Sequence, residues 1–168
     1  MHHYDYVVVG AGSAGSALAS RLSESGKFTV CLLEAGGSDK KFWVQMPLGY
    51  GKVFHDPSVN WRYMTEPEPN LDNQSVYWPR GKVLGGSSSI NAMVWVRGHK
   101  RDYEEWDSVA PGWGWNNVQK IFKRMESWDG VPNISRGTNG PQAVHDVSQD
   151  VHPLTISYLK AASQIGIE

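Results

Sequence analysis

The feature that most constrains the fold of this chain is a glycine-rich turn between an apolar run and a helical pattern. Residues 4–9 predict a short strand, whose continuous apolar part suits a parallel strand buried on both faces. Residues 10–15 read Gly-Ala-Gly-Ser-Ala-Gly, and residues 13–25 have helical spacing. Residues 28–34 form a second apolar run. Strand, turn, helix and strand within about 30 residues predict a βαβ unit.

The spacing of the three glycines in this turn is typical of a dinucleotide-binding site. Gly10 permits the tight turn, Gly12 lets the backbone approach a pyrophosphate, and Gly15 allows close packing of helix on strand. Glu34 ends the second apolar run, where its carboxylate can accept hydrogen bonds from ribose hydroxyls and would repel the 2′-phosphate of NADP. The alternative is an ordinary βαβ turn with a solvated glutamate. The pattern favours a dinucleotide but does not separate NAD from FAD.

A second glycine-rich run covers residues 80–91, with sequence Arg-Gly-Lys-Val-Leu-Gly-Gly-Ser-Ser-Ser-Ile-Asn. Gly81, Gly85 and Gly86 carry no Cβ, so this backbone can lie very close to a ligand. The serines and Asn91 add hydrogen-bonding groups. The run therefore predicts a segment that lies against a flat, polar ligand.

The rest of the chain alternates between irregular and regular patterns. Residues 36–79 contain five prolines and no sustained periodicity, which predicts loops that frame a ligand. Residues 92–96 predict a strand, and residues 116–127 and 153–165 predict amphipathic helices. Residues 130–150 again predict irregular structure.

Composition excludes several classes of function. The chain has 168 residues and a formal net charge of -1, which gives no electrostatic basis for binding nucleic acid. It has one cysteine and no apolar stretch of the roughly 18 residues that a transmembrane helix needs, and no signal peptide is recognisable. We expect a cytoplasmic location. The eight tryptophans either fill gaps between loops or border a pocket.

Several motifs together resemble the glucose–methanol–choline (GMC) oxidoreductase family, and within it the bacterial choline-dehydrogenase-like alcohol dehydrogenases. The resemblance extends over nearly the whole chain. It includes the runs at residues 5–15, 33–36, 60–61, 78–98, 102–106 and 112–115. The run at 81–91 is the most specific of these motifs.

The resemblance implies an α/β fold: a Rossmann-like, FAD-binding βαβ domain with long loops over the cofactor. Residues 1–110 would belong to this domain, and residues 111–168 would begin a connecting or substrate domain, so the fold would be incomplete. The implied reaction oxidises a small-molecule alcohol to an aldehyde or ketone by hydride transfer to flavin N5. The electron acceptor would be oxygen or a quinone.

The resemblance also implies roles for individual residues. Gly10, Gly12, Ser13, Ala14 and Gly15 would bind the pyrophosphate, and Glu34 the adenosine ribose, with Ala35 beside it. Val83, Gly85, Gly86, Ser87 and Ser88 would line the cofactor, and Asn91, Ala92, Met93 and Val94 would run beside the isoalloxazine. Some members attach FAD through a histidine just before the motif asparagine; here that residue is Ile90, so we expect dissociable FAD.

No catalytic base and no metal ligand are assigned within the chain. The family's catalytic histidine lies far towards the C-terminus of much longer chains, which places it beyond Glu168. The six histidines here match no such motif, and we expect each to be solvated or structural: His2, His3, His55, His99, His145 and His152. Two alternatives remain, a fragment of an NAD-dependent dehydrogenase and a non-catalytic dinucleotide-binding module.

Overall fold

The structure, a computed structural model, describes residues 2–167. The chain forms two compact units, Met1–Val94 and Trp95–Glu168. The expected boundary at residue 110, between the FAD-binding domain and a connecting or substrate domain, stays a prediction.

The predicted βαβ unit is confirmed in the first unit. Strand β1 (Tyr6–Val9), helix α1 (Ser13–Ser23) and strand β2 (Val30–Leu33) follow in order. The two strands are parallel, with Tyr6 opposite Val30 and Val9 opposite Leu33. The glycine turn therefore lies where β1 ends and α1 begins, at the carboxyl end of both strands.

The prediction that β1 is buried on both faces is wrong for this structure. Val8 is buried and contacts the region of Gly15 on α1. Val7 and Val9 are 58% and 83% exposed. Among the described residues, the β1–β2 sheet has only two strands, and α1 packs on one of its faces.

Asp5 joins the beginnings of the two parallel strands. Its Oδ2 accepts hydrogen bonds from the Thr29 backbone N–H (2.7 Å) and the Thr29 hydroxyl (2.8 Å). The backbone hydrogen bond, and then the hydroxyl, lower the pKa of Asp5 below its ordinary value.

The predicted irregular region between the glycine runs contains only short elements. These are α2 (Phe42–Gln45), α3 (Tyr50–Val53), the antiparallel strands β3 (Tyr63–Met64) and β4 (Tyr77–Trp78), and two 3₁₀ helices, Pro47–Gly49 and Pro69–Leu71. An apolar cluster holds these loops against the second glycine run. It consists of Val53, Val59, Val83 and Ile90, each at most 3% exposed.

The second unit departs further from the sequence-based expectations. It contains α4 (Lys100–Val109), α5 (Trp115–Met125), β5 (Glu126–Trp128), β6 (Gln142–Val144) and α6 (Pro153–Gln164). Helices α5 and α6 confirm the two predicted helices to within two residues. Helix α4 was not predicted, and β6, which pairs in parallel with β5, lies in the region expected to be irregular.

The strand predicted over residues 92–96 does not form. The Asn91 Oδ1 accepts a hydrogen bond from the Met93 N–H at 2.8 Å, and Met93 adopts a φ of +59°. An asparagine side chain that bonds the backbone two residues on favours a turn over an extended strand.

A buried carboxylate organises β5 in the second unit. The side chain of Glu126 has no exposed surface, and Arg136 Nη1 donates to its Oε1 at 2.6 Å. Arg97 Nη2 forms an ion pair with its Oε2, and the Gly137 N–H donates to the same oxygen at 3.2 Å. Burial lowers the pKa of Arg97, and the charge of Arg136 lowers it further.

Removing this carboxylate should strongly destabilise the second unit. We expect Glu126→Gln to lower the free energy of unfolding by about 3 kcal/mol or more, since it leaves buried arginine charge without a counter-ion. Denaturant unfolding followed by circular dichroism measures the change. The exposed control Glu24→Gln, which breaks only the surface pair with Arg21, should cost under about 1 kcal/mol. Equal losses in both variants would contradict the assigned role.

The Asp5–Thr29 contact predicts an acid-dependent contribution to stability. Because the folded-state pKa is lowered, the contribution is present above the ordinary aspartate pKa and is lost as the pH falls through the folded value. Carboxyl-detected NMR titration should show the low Asp5 pKa, and Thr29→Val, which keeps the backbone donor, should raise it only in part. An Asp5 pKa at or above 3.8 would contradict this account.

Candidate cofactor site

The two glycine-rich runs lie against each other, although the serines that join them, Ser13 and Ser88, are 75 residues apart in the sequence. The Gly85 N–H donates to the Ala11 carbonyl at 2.8 Å, and Gly12 and Gly85 form an isolated parallel bridge. The Ser13 hydroxyl donates to the Ser88 hydroxyl at 3.0 Å. The runs that the sequence presents as separate motifs therefore form one backbone surface.

This contact requires glycine at its centre. A Cβ on Gly86, whose φ is +56°, would lie 2.9 Å from the Gly12 Cα. Within the first turn, a Cβ on Gly15 would lie 1.9 Å from the Gly10 carbonyl oxygen. Within the second run, a Cβ on Gly81 would lie 2.1 Å from the Gly86 carbonyl oxygen. A side chain at Gly86 would push the two runs apart, and side chains at Gly15 and Gly81 would each distort one run internally.

Glu34 connects β2 to the first glycine turn. Its Oε2 accepts a hydrogen bond from the Ala11 N–H and its Oε1 one from the Gly36 N–H, both at 2.8 Å. From its position in the sequence Glu34 was expected to bind a ribose, and its two hydrogen bonds to backbone N–H groups were not predicted. The two roles are compatible, because each carboxylate oxygen has a second lone pair for a ligand hydroxyl.

The beginning of α1 suits the diphosphate of FAD. Gly12 is the N-cap and contributes no side-chain acceptor, so the amides of the first helical turn are available to an anion. The helix dipole adds partial positive charge at the same point. The absence of Cβ atoms and the clamped Glu34 beside these amides fit the ADP half of FAD.

A groove of about 610 Å³ runs over this surface. Six of the predicted cofactor residues line it: Gly10, Gly12, Glu34, Ala35, Gly86 and Ser87. The other six lining residues are not among the predicted cofactor residues: Val9, Leu33, Trp61, Tyr63, Arg80 and Gly81. Trp61, Arg80 and Gly81 belong to runs that carry the family resemblance, which was the available signal; nothing in the sequence pointed to Tyr63.

The other predicted cofactor residues lie outside this groove. Ser13, Ala14 and Gly15 form the first turn of α1, and Gly85 pairs with the first glycine run. Val83 is fully buried in the apolar cluster, so its side chain does not line the groove. Asn91 and Met93 line a second cavity of about 230 Å³, together with Trp43, Met46 and Tyr50. Ala92 and Val94 are exposed.

Four histidines make local contacts. His99 and His152 accept hydrogen bonds at the beginnings of α4 and α6. His55 stacks on Tyr77 with ring centroids 5.4 Å apart, and His145 pairs with Asp129 at 2.5 Å. Within residues 2–167, no three histidine, cysteine or acidic side chains are grouped to hold a metal ion, and no helix is long and apolar enough to cross a membrane.

Comparison with known families matches residues 4–168 to the GMC oxidoreductases. The chain belongs to this family. The resemblance identified from the sequence motifs is thereby confirmed, and so is FAD as the cofactor, since FAD is the dinucleotide that GMC oxidoreductases bind.

Individual GMC relatives are similar over almost the whole chain. An oxygen-dependent choline dehydrogenase from Rhizobium rhizogenes is 48% identical over 98% of this chain, and an alcohol dehydrogenase [acceptor] from Pseudomonas putida is 44% identical over 98%. The crystal structure of pyridoxine 4-oxidase from Mesorbium loti superposes with a TM-score of 0.90 at 32% identity, covering 99% of this chain and 33% of the oxidase. The chain spans about 30% of the length of the curated relatives.

A side chain at the contact between the glycine runs should abolish FAD binding. We expect Gly86→Ala to force Gly12 and Gly86 apart and to lose bound flavin, measured as flavin absorbance per protein after desalting. Gly37→Ala is the matched control, because a Cβ there meets no atom within 4 Å, and it should retain FAD. Full flavin content in Gly86→Ala would contradict the requirement for close backbone contact.

Proposed function

We propose that this chain forms the FAD-binding part of a GMC oxidoreductase that oxidises the CH–OH group of a small alcohol. Its own contribution is to bind and orient the ADP half of FAD along the two glycine runs. One observation carries the proposal: the two glycine runs contact each other, Glu34 is hydrogen-bonded to the first run, and all three line one groove.

Different residues of the chain bind different parts of the cofactor. The first-turn amides of α1, from Ser13 to Gly15, bind the pyrophosphate, where the helix dipole stabilises its charge. Glu34 accepts hydrogen bonds from the ribose hydroxyls through the lone pairs that its two amide bonds leave free. The second glycine run provides a flat backbone wall beside the diphosphate.

The flavin end of the cofactor lies towards residues 91–94. The second cavity, which Asn91 and Met93 line beside aromatic side chains, supports this assignment. When bound, FAD supplies the flavin N5 that accepts a hydride from the alcohol carbon. We assign no residue of this chain as the base that removes the hydroxyl proton.

The substrate and acceptor are proposed from the relatives. A choline-like or simple alcohol fits the choline dehydrogenase and alcohol dehydrogenase relatives. The oxygen-dependent choline dehydrogenase relative supports oxygen as the electron acceptor, and a quinone is the alternative acceptor. The sequence gives no basis for a nucleic-acid partner, and a cytoplasmic location stays a prediction.

Acid precipitation of the flavin-loaded protein tests the mode of cofactor binding. Ile90 is an apolar side chain, 3% exposed, within the cluster of valines, so it offers no atom for a bond to the flavin. FAD should therefore pass into the supernatant and match authentic FAD by chromatography. Flavin retained in the pellet would contradict non-covalent binding, and bound NAD with no flavin would contradict the proposed cofactor.

Replacing the ribose-binding carboxylate should weaken FAD binding. Glu34→Gln puts an NH₂ group against one of two backbone donors and removes the charge, which should cost about 1–3 kcal/mol, or roughly 5- to 150-fold in the Kd for FAD. Fluorescence titration of the apoprotein measures this. Glu66→Gln, an exposed substitution outside the groove, is the control, and equal Kd values for the two variants would contradict the role of Glu34.

A further inference from the structure

A buried asparagine lies between the irregular loops and the second glycine run. Asn60 is 2% exposed, although asparagine is mostly a surface residue. It lies just before β3 and lines neither cavity. A carboxamide is buried at little cost only where its oxygen and nitrogen are hydrogen-bonded. The partners of these two atoms therefore show which parts of the fold the side chain holds in place.

The side-chain oxygen of Asn60 fixes the beginning of the second glycine run. Its Oδ1 accepts hydrogen bonds from the Arg80 N–H at 3.0 Å and the Arg62 N–H at 2.9 Å. The backbones of Asn60 and Gly81 also form an antiparallel bridge. Because Arg80 is the first residue of the run, these contacts set the point from which the run starts.

The beginning of this run packs against its own central glycines. The Gly81 N–H donates to the Ser87 hydroxyl at 3.1 Å, and a Cβ on Gly81 would lie 2.1 Å from the Gly86 carbonyl oxygen. Gly86 in turn lies against the backbone of Gly12. A displacement of Gly81 would therefore move the atoms that contact the first glycine run, which connects Asn60 to the surface proposed for the ADP half of FAD.

The side-chain nitrogen of Asn60 fixes the end of α3. Its Nδ2 donates to the Phe54 carbonyl at 2.8 Å, and the Tyr77 hydroxyl donates to the same oxygen. The Phe54 ring packs edge-on against Tyr50, with ring centroids 5.7 Å apart. Since Tyr50 lines the second cavity, the Asn60 nitrogen supports the wall of the cavity proposed for the flavin end.

A short carboxamide meets both requirements because it carries an acceptor and a donor on one rigid group. An ionised aspartate offers the acceptor without the donor, and a leucine of similar size offers neither. A buried donor or acceptor left unpaired costs the full desolvation of that group, so neither exchange is neutral. The two atoms can therefore be tested one at a time.

We infer that Asn60 is a positioning residue for bound FAD: its Oδ1 holds the second glycine run against the ADP half, and its Nδ2 holds α3 beside the flavin half. This inference rests on the proposed function, because it takes the placement of the two halves from there. Asn60 does not itself contact the cofactor in this assignment. It acts through Gly81 on one side and Phe54 on the other.

Two substitutions and two measurements test this inference. Calorimetric titration with ADP reports on the glycine runs, and visible circular dichroism of the flavin at saturating FAD reports on the second cavity. Asn60→Leu should weaken ADP binding about tenfold or more, because it leaves two backbone N–H groups unpaired, and should alter the flavin dichroism. Asn60→Asp keeps an acceptor for both N–H groups, so the Kd for ADP should stay within about threefold, while the lost donor to Phe54 should still alter the dichroism.

Two control variants separate positioning from a general loss of stability. Asn70→Leu replaces an exposed asparagine in the loop between β3 and β4 and should change neither measurement. Val118→Ala truncates a buried side chain of α5 in the second unit. It should lower the midpoint of denaturant unfolding and leave both the Kd for ADP and the flavin dichroism unchanged.

The other outcomes separate this inference from the function on which it rests. An unchanged Kd for ADP in Asn60→Leu, an equal loss in Asn60→Asp and Asn60→Leu, or an unaltered dichroism in Asn60→Asp would each overturn the inference, while FAD binding to the unaltered chain would leave the proposed function standing. Should Asn60→Leu not fold, Asn60→Asp decides alone: retained ADP affinity with altered dichroism supports the inference, and any other combination overturns it. Failure of the unaltered chain to bind either FAD or ADP would overturn both.

Discussion

The contact between the two glycine-rich runs is the interaction on which the rest of this site depends. It joins the end of β1 to a segment more than 70 residues later in the chain, and it closes because Gly86 has no side chain to collide with the Gly12 backbone. The loops between the runs are held by the same arrangement, since the apolar cluster takes Val83 and Ile90 from the second run. A single backbone contact thus positions both the cofactor surface and the loops that frame it.

Glu34 gives this surface its chemical character. A carboxylate that accepts hydrogen bonds from two backbone N–H groups is fixed in direction. Its remaining lone pairs are available to the vicinal hydroxyls of a ribose, with little further loss of side-chain entropy. The same residue therefore ties the glycine turn to β2 and, in the proposed function, would bind the ribose.

The elements predicted most accurately from the sequence are those whose structure is determined by residues close together in the chain. The βαβ unit, α5 and α6 follow from local apolar periodicity and from glycine and proline signals. The prediction of a strand over residues 92–96 failed because the Asn91 side chain stabilises a turn at Met93. Strand β6 was not predicted because a strand of three residues is too short to show a periodic pattern. The glycine residues and Glu34 were recognisable from spacing. Trp61 and Tyr63 were not, because backbone pairing with Arg80 and Trp78 places them at the groove, and spacing along the sequence does not reveal that pairing.

A crystal structure of the chain with bound ADP tests the central claim most directly, because it locates the diphosphate, the ribose and the base together. The account predicts the diphosphate at the first-turn amides of α1 beside Gly12 and Gly86, and the ribose hydroxyls on the Glu34 carboxylate. Density for ADP elsewhere on the chain, or a diphosphate held away from both glycine runs, would contradict it.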